Sequence, residues 1–154
     1  MDIKELKPTS IWHYFDAITG VPRPSKKEER IREFLLNFAK EQNLEVKVDK
    51  TGNVVITKEA TPGCEGAPTV ILHMDMVCEK NGDVKHDFER DPIETYIDGE
   101  WVKARGTTLG ADNGIGMAAA MAVLADKELK HGRIQALFTV DEETGLTGAF
   151  GLES

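Results

Sequence analysis

The sequence is poor in cysteine, in positive charge and in long apolar runs. Its 154 residues contain only two cysteines, which excludes a disulfide framework and favours a reducing compartment, most simply the cytoplasm. Lysine and arginine number 19 against 27 aspartates and glutamates, so the formal net charge is −8, and like charge repels nucleic-acid phosphates and anionic membranes. No apolar run reaches the roughly 18–20 residues that cross a bilayer, and the charged start lacks the apolar segment of a signal peptide. We therefore expect no nucleic-acid or membrane partner.

The remaining composition is ordinary for a folded domain. Hydrophobic residues make up 40% of the chain and charged residues 30%, which is too apolar for an intrinsically disordered protein. The length corresponds to one domain at the usual range of roughly 100–200 residues. A chain of this size buries about 68–70% of the surface of its unfolded state, so we expect a real apolar core.

Apolar periodicity predicts an α/β domain. One helix is predicted from a cap at Thr9 or Ser10 to about Ile18, and Ser25 is predicted to cap a second helix through a Ser-x-x-Glu capping box. Five further elements follow along the chain: a hairpin, a buried strand over Thr69–Leu72, a second hairpin turning at Asp98-Gly99, a buried helix over Met117–Ala125 and a buried strand over Arg133–Val140. This order predicts a mixed β-sheet flanked by helices.

The first polar cluster, His73-Met74-Asp75, follows a predicted buried strand directly. In sheets of this class, ligands collect at the carboxyl ends of strands. Residues i and i+2 of an extended chain share a face, so Asp75 can bind one nitrogen of the His73 ring and leave the other for a metal. A hydrogen-bonded histidine at a strand end is the alternative, and this cluster alone does not decide between them.

The second cluster is Asp112, within the glycine-rich stretch Gly110–Gly116. A dinucleotide loop is a poor interpretation, because the spacing is not G-x-G-x-x-G and a carboxylate in a phosphate cradle repels the anion. Asp112 can act simply as the N-cap of the next helix. Alternatively, the glycines let the backbone approach closely while Asp112 offers two oxygens to two cations.

The third cluster, Asp141–Gly145, follows the last predicted strand and contains three consecutive acidic residues. Adjacent carboxylates repel one another unless a cation is present, and successive side chains of an extended chain point apart. One carboxylate can then bind a metal while its neighbour faces a water molecule; the alternative is a solvated acidic turn. Together, the imidazole and carboxylates of the three clusters favour a hydrolytic metal site for Zn²⁺, with Mn²⁺ or Co²⁺ as substitutes.

The same three stretches carry a family resemblance. H-M-D-M-V-C-E-K, G-T-T-L-G-A-D-N-G-I-G and D-E-E-T-G together resemble the dizinc metallopeptidases of the carboxypeptidase-G/aminoacylase superfamily, and within them the aminoacyl-histidine dipeptidase branch (beta-alanyl-histidine dipeptidase, peptidase D). The likeness covers nearly the whole chain. It implies a zinc-exopeptidase-like catalytic domain that hydrolyses dipeptides, above all Xaa-His types such as carnosine.

The resemblance also implies a role for each site residue. His73 would be a terminal ligand of one zinc ion, Asp112 would bridge two zinc ions, and Glu143 would hold the second. Glu142 would be the general base that activates the attacking water, and Asp75 would be the carboxylate behind His73. The family also has a cis peptide bond directly after the bridging aspartate.

The family pattern extends beyond these residues. It needs a further acidic ligand and a distal histidine, with a lid or dimerisation domain between them, and none of His13, His86 and His131 occupies the missing position. We therefore expect residues 1–154 to be the N-terminal part of a single catalytic domain, without that second domain and without the C-terminal part of the catalytic domain. Alone, this part is expected to be inactive, and the complete protein is expected to form a homodimer.

Two other functions stay open on the sequence. A related dizinc amidohydrolase, such as a deacylase or another short-peptide exopeptidase, would use the same metal ligands on a different substrate. A non-catalytic interaction domain could keep the fold, but it would be expected to lose Glu142 or a metal ligand, and these residues are intact.

Overall fold

A computed structural model describes residues 2–65 and 69–152, with residues 69–72 described by their backbone alone. A short 3-10 helix, Ile3–Glu5, opens the described chain. The helices are α1 (Thr9–Thr19), α2 (Glu29–Glu41), α3 (Ala111–Ala125) and α4 (Thr147–Phe150). The strands are β1 (Glu45–Val48), β2 (Val54–Lys58), β3 (Thr69–His73), β4 (Thr95–Asp98), β5 (Trp101–Ala104) and β6 (Ile134–Thr139).

The main sheet is mixed, as predicted. Its strand order is β1-β2-β6-β3, and β6 pairs antiparallel with β2 and parallel with β3. β4 and β5 form a separate two-stranded hairpin. Because β3 and β6 are parallel neighbours, their carboxyl ends meet at one edge of the sheet.

The core covers one face of this sheet. Val54, Ile56, Ala136 and Phe138 are buried and belong to a single apolar cluster. Val54 pairs with Phe138 and Ile56 pairs with Ala136, and alternate residues of a strand share a face, so these four side chains point the same way. Buried residues of the three long helices complete the cluster: Phe15, Ile18, Ile31, Leu35, Phe38, Met117, Met121 and Leu124.

Both predicted helix caps are wrong, and the second error matters for the site. α1 begins at Thr9 with Pro8 as its N-cap, and no side chain caps it. α2 begins at Glu29, after the predicted capping box, and again has no side-chain cap. Ser25 instead donates its hydroxyl hydrogen bond to Asp75 Oδ2 at 2.7 Å. The hydroxyl serves a tertiary contact, which local sequence does not reveal.

Two further boundaries differ from the prediction. The second hairpin turns at Gly99-Glu100 rather than at Asp98-Gly99, because Asp98 still pairs with Trp101. The last long helix is longer than expected and exposes Ile115 and Val123 on its outer face, so its uniformly apolar sequence does not mean complete burial. Among residues 2–65 and 69–152, no helix has the length and apolar character to span a membrane.

Candidate metal centre

Two of the three polar clusters meet because β3 and β6 are parallel neighbours. His73 is the last residue of β3 and pairs with Thr139, the last residue of β6. The chain then continues from β6 into Glu142 and Glu143, close to the end of β3. The expected gathering of functional groups at the carboxyl ends of strands therefore holds for these residues.

Asp112 reaches the same place from the start of α3. Gly110 is the N-cap of α3, in the left-handed region at φ 68°, and Asp112 itself has non-helical angles, φ −90° and ψ 108°. The peptide bond between Asp112 and Asn113 is cis, as the family resemblance implies. The N-cap interpretation of Asp112 is wrong, since its side chain caps nothing and is 87% exposed.

The predicted metal ligands converge. His73, Asp112 and Glu143 each offer a ligand atom, and these three atoms all lie within 4.8 Å of one another. Nε2 of His73 lies 3.1 Å from Asp112 Oδ1 and 3.9 Å from Glu142 Oε2. The structure thus places the predicted general base beside the predicted ligands; the roles themselves stay predictions.

Asp75 ties two of the clusters together. Its side chain is fully buried, at 0% exposure, and lies behind His73, with 3.5 Å between Asp75 Oδ1 and His73 Nδ1. This separation is too long for a well-formed hydrogen bond, so the contact is electrostatic. Asp75 also accepts backbone N–H hydrogen bonds from Glu142 at 3.1 Å and from Glu143 at 3.2 Å. It therefore positions the third cluster as well as the histidine.

The electrostatics of the cluster fit a cation. Burial lowers the pKa of His73, but the nearby carboxylates of Asp75, Asp112 and Glu142 outweigh it and raise the pKa to about 9. Burial is the main cause that raises the pKa of Glu143; His73 opposes it, and the carboxylates of Asp112 and Glu142 add to it. The raised pKa of His73 thus reflects an excess of negative charge that a positive charge relieves. Since imidazole and carboxylate donors with a carboxylate behind the imidazole are typical of zinc ligation, the residues present fit a divalent cation.

Of the three acidic residues in the third cluster, Asp141 turns inward. It is 4% exposed, and its carboxylate accepts hydrogen bonds from the hydroxyls of Thr144 and Thr147. Its backbone N–H donates to Glu28 Oε1 at 2.9 Å. A solvated acidic turn is therefore the wrong interpretation for this residue, while Glu142 and Glu143 remain partly accessible.

Ser25 and Glu28 were missed as site residues by sequence reasoning. The spacing of the two residues matches a capping box, which is the more common use of that pattern. Their partners, Asp75 and Asp141, lie 50 and 113 positions away. The sequence holds no local signal for such contacts.

Comparison with known proteins identifies the family. The model of peptidase family M20/M25/M40 matches residues 69–153, a stretch that contains all three clusters. The chain belongs to this family.

Individual M20 relatives agree with the fold and with the resemblance. The chain is 52% identical to the cytosol non-specific dipeptidase of Escherichia coli (strain K12), over 99% of this chain and 32% of that protein. It superimposes on the aminoacylhistidine dipeptidase of Vibrio alginolyticus with a TM-score of 0.95 and 56% identity, over 100% of this chain and 32% of that one. A tripeptidase from Staphylococcus aureus gives a TM-score of 0.79 at 25% identity, over 97% of this chain and 40% of that one.

These matches confirm the predicted α/β class and the resemblance to the aminoacyl-histidine dipeptidase branch. The chain spans about a third of the length of the two most similar of these M20 relatives, 32% in each case.

Proposed function

We propose that this M20 chain is the metal-binding, N-terminal part of a dipeptidase catalytic domain in a longer protein. The observation that carries the proposal is the convergence of His73, Asp112 and Glu143 within 4.8 Å. The similarity to two dipeptidases supports dipeptide hydrolysis as the reaction. Since each is matched over only a third of its length, it also supports the idea that this chain is one part of a larger catalytic domain. The substrate-covering lid or dimerisation domain would lie elsewhere in the protein.

In this proposal His73, Asp112 and Glu143 hold two Zn²⁺ ions, for which Mn²⁺ or Co²⁺ can substitute. His73 would be a terminal ligand of one ion, Asp112 would be shared by the two, and Glu143 would hold the second. Bound divalent cations supply Lewis acidity to a scissile carbonyl and make a water molecule easier to deprotonate.

The chain's own residues supply the proton transfer and the positioning. The side chain of Glu142 is 39% exposed, and its Oε2 lies 3.9 Å from His73 Nε2. From there it takes a proton from the attacking water and delivers it to the leaving amine. Asp75 holds the backbone of Glu142 through its N–H and faces His73 from behind, so a single buried carboxylate orients both the base and a ligand.

The substrate we propose is a short peptide, of the Xaa-His type exemplified by carnosine. The support is the aminoacylhistidine specificity in the name of the Vibrio alginolyticus relative. We also propose that the protein acts in the cytoplasm, since the Escherichia coli relative is named a cytosolic enzyme, and that the complete protein is a homodimer.

Two measurements test the proposal. Both use a hybrid in which this chain replaces the matching third of the Escherichia coli dipeptidase. Calorimetric titration of the hybrid with ZnCl₂ is expected to show binding that is lost when His73, Asp112 and Glu143 are replaced by alanine; absence of binding by the unaltered hybrid would favour an interaction domain.

In the hybrid, Glu142→Ala is expected to lower dipeptide turnover by a factor of about 10²–10⁴ while the zinc content stays the same. Glu100→Ala, an exposed glutamate in the β4–β5 turn, is the matched control. Near-normal turnover of the Glu142 variant would refute the assignment of the base. A panel of acylated amino acids and dipeptides separates a deacylase from a dipeptidase.

A further inference from the structure

Arg23 is a buried arginine that sequence reasoning did not connect with the site. It is only 2% exposed and is the largest of the fully buried side chains in the described part of the protein. Its guanidinium binds three backbone carbonyls: Nη1 donates to Met74 O at 3.3 Å and to Asp75 O at 3.2 Å, and Nη2 donates to Gly110 O at 2.5 Å. It forms no ion pair with a described carboxylate within hydrogen-bond distance.

Those carbonyls belong to the two segments that carry His73 and Asp112. Met74 and Asp75 directly follow His73, and Gly110 stands two residues before Asp112. The backbone of Arg23 binds the first segment as well, since its carbonyl accepts the N–H of Met76 at 3.2 Å. A single residue therefore spans the gap between the end of β3 and the start of α3.

The Gly110 carbonyl shows what this contact controls. It accepts the N–H of Gly114 at 3.0 Å, which closes the first turn of α3. A carbonyl oxygen has two lone pairs, and Arg23 occupies the other. Gly110 is in the left-handed region that glycine reaches freely, so its peptide has little intrinsic preference for one orientation. The hydrogen bond from the Arg23 guanidinium fixes the orientation of this carbonyl, two residues before Asp112.

The glycines of this stretch make room for the guanidinium. A Cβ atom on Gly110 would lie 2.6 Å from Arg23 Nη2, and one on Gly114 would lie 2.7 Å from the same nitrogen. Real Cβ atoms do not approach so closely. Gly110 and Gly114 therefore accommodate Arg23, in addition to any role near a metal.

We propose that Arg23 is a positioning residue for the metal centre, which sets the separation of His73 and Asp112 by holding the Gly110 carbonyl against the Met74–Asp75 segment. This inference rests on the proposed function. A lysine ammonium carries its three donors on one nitrogen and cannot reach carbonyls of two separate segments as the planar guanidinium does. The charge of Arg23 itself opposes a nearby cation, so an electrostatic role and a positioning role predict opposite effects of neutral replacement.

The test measures Zn²⁺ and Co²⁺ binding by the hybrid described above, with this chain unaltered or carrying Arg23→Lys or Arg23→Met, beside its denaturant unfolding. Both variants are expected to bind about 10–100-fold more weakly, the range seen when groups that orient metal ligands are removed, and to change the visible absorption of bound Co²⁺. Phe38→Leu, in the core on α2, is the control: it lowers stability and should leave both the affinity and the spectrum unchanged.

Each outcome decides. Equal affinity of the unaltered hybrid and Arg23→Lys overturns the role of Arg23 alone, and tighter binding by Arg23→Met shows that its charge merely repels the metal and also overturns it. Absence of binding by the unaltered hybrid overturns the proposed metal centre and this inference with it. If the Arg23 variants do not fold, Gly114→Ala decides instead, since alanine favours the helix but displaces the guanidinium: weaker Co²⁺ binding without loss of stability supports the proposal, and unchanged binding overturns it.

Discussion

At the scale of single residues, Asp75 is the side chain that connects the most parts of the site. It accepts hydrogen bonds from the Ser25 hydroxyl and from the N–H groups of Glu142 and Glu143, and it faces His73. Burial raises its pKa, but these contacts outweigh burial and lower the pKa to about 2. The carboxylate is therefore ionised at neutral pH.

The first prediction concerns this carboxylate. Asp75→Asn keeps the size but directs an amide N–H₂ at one of the backbone donors of Glu142 and Glu143, which leaves buried donors unpaired. Such groups cost about 1–3 kcal/mol each, so urea unfolding should show a loss of at least about 2 kcal/mol. Ser25→Ala removes one hydrogen bond to Asp75 Oδ2, so its free energy of unfolding should fall by only about 0.5–1.5 kcal/mol. Equal losses in the two variants would contradict this account.

A second prediction at this scale concerns Cys78, a free and half-buried thiol near Arg23. Burial raises its pKa to about 11, and only the thiolate reacts with alkylating agents. In a Cys64→Ser background, the rate of alkylation by iodoacetamide should rise about tenfold with each pH unit up to about pH 10. The Cys78→Ser variant, which retains Cys64, serves as the reference. A rate that levels off below pH 9 would refute the raised pKa.

At the scale of elements, the start of α3 depends on a backbone conformation as well as on contacts. Gly110→Ala places a Cβ in the left-handed region and also within 2.8 Å of Arg23 Nη2 and Met76 Sδ. Gly99→Ala, in the β4–β5 turn, has a similar φ of 61° but meets no atom within 4 Å. Because a residue with a Cβ atom is strained in the left-handed region, each variant should lose about 1–2 kcal/mol of unfolding free energy. The Gly110 variant should lose more, and equal unfolding free energies would show that the contact with Arg23 is unimportant.

The extent of what the sequence predicts also becomes clear at this scale. The strands leading to His73 and Asp141 were predicted correctly, because a short apolar run between polar segments is a local pattern. The N-terminal caps of helices were predicted wrongly, although the predicted helix ends at Ile18 and Ala125 lie within one residue of the observed ones. Ser25 lies where a cap is expected, but its hydroxyl binds Asp75. The residues that brace the site were not predictable in the same way, because Arg23 and Glu28 act on backbone groups 51 to 113 positions away.

The predicted ligands are a mixed case. Sequence and family resemblance selected His73, Asp112 and Glu143, and the fold brings their ligand atoms together. The inward turn of Asp141 was not foreseen, since three consecutive acidic residues look alike in a sequence. What separates them is the left-handed backbone of Asp141, at φ 48°, which directs the side chain to the Thr144 and Thr147 hydroxyls.

At the scale of the whole molecule, an excess of negative charge meets a site built from carboxylates. The chain has a formal net charge of −8, and the carboxylates at the carboxyl ends of β3 and β6 add a local concentration of that charge. Folding brings these groups together, which costs repulsion that the unfolded chain avoids. A cation that binds only the folded site should therefore stabilise the entire chain, because the free energy of binding adds to the free energy of folding.

The last prediction follows from this linkage. At a free Zn²⁺ or Co²⁺ concentration of about 100 times Kd, the free energy of unfolding should rise by about 2.7 kcal/mol, and a chelator should reverse the gain. Asp112→Asn keeps the shape of a side chain that is 87% exposed and an oxygen that can still face His73 Nε2, so its metal-free stability should change by less than about 1 kcal/mol while the metal-dependent gain is lost. Magnesium at the same ionic strength separates site binding from screening of the net charge. An equal gain with magnesium, or an undiminished gain in Asp112→Asn, would mean that the cation acts on the overall charge and that the three ligands form no specific centre.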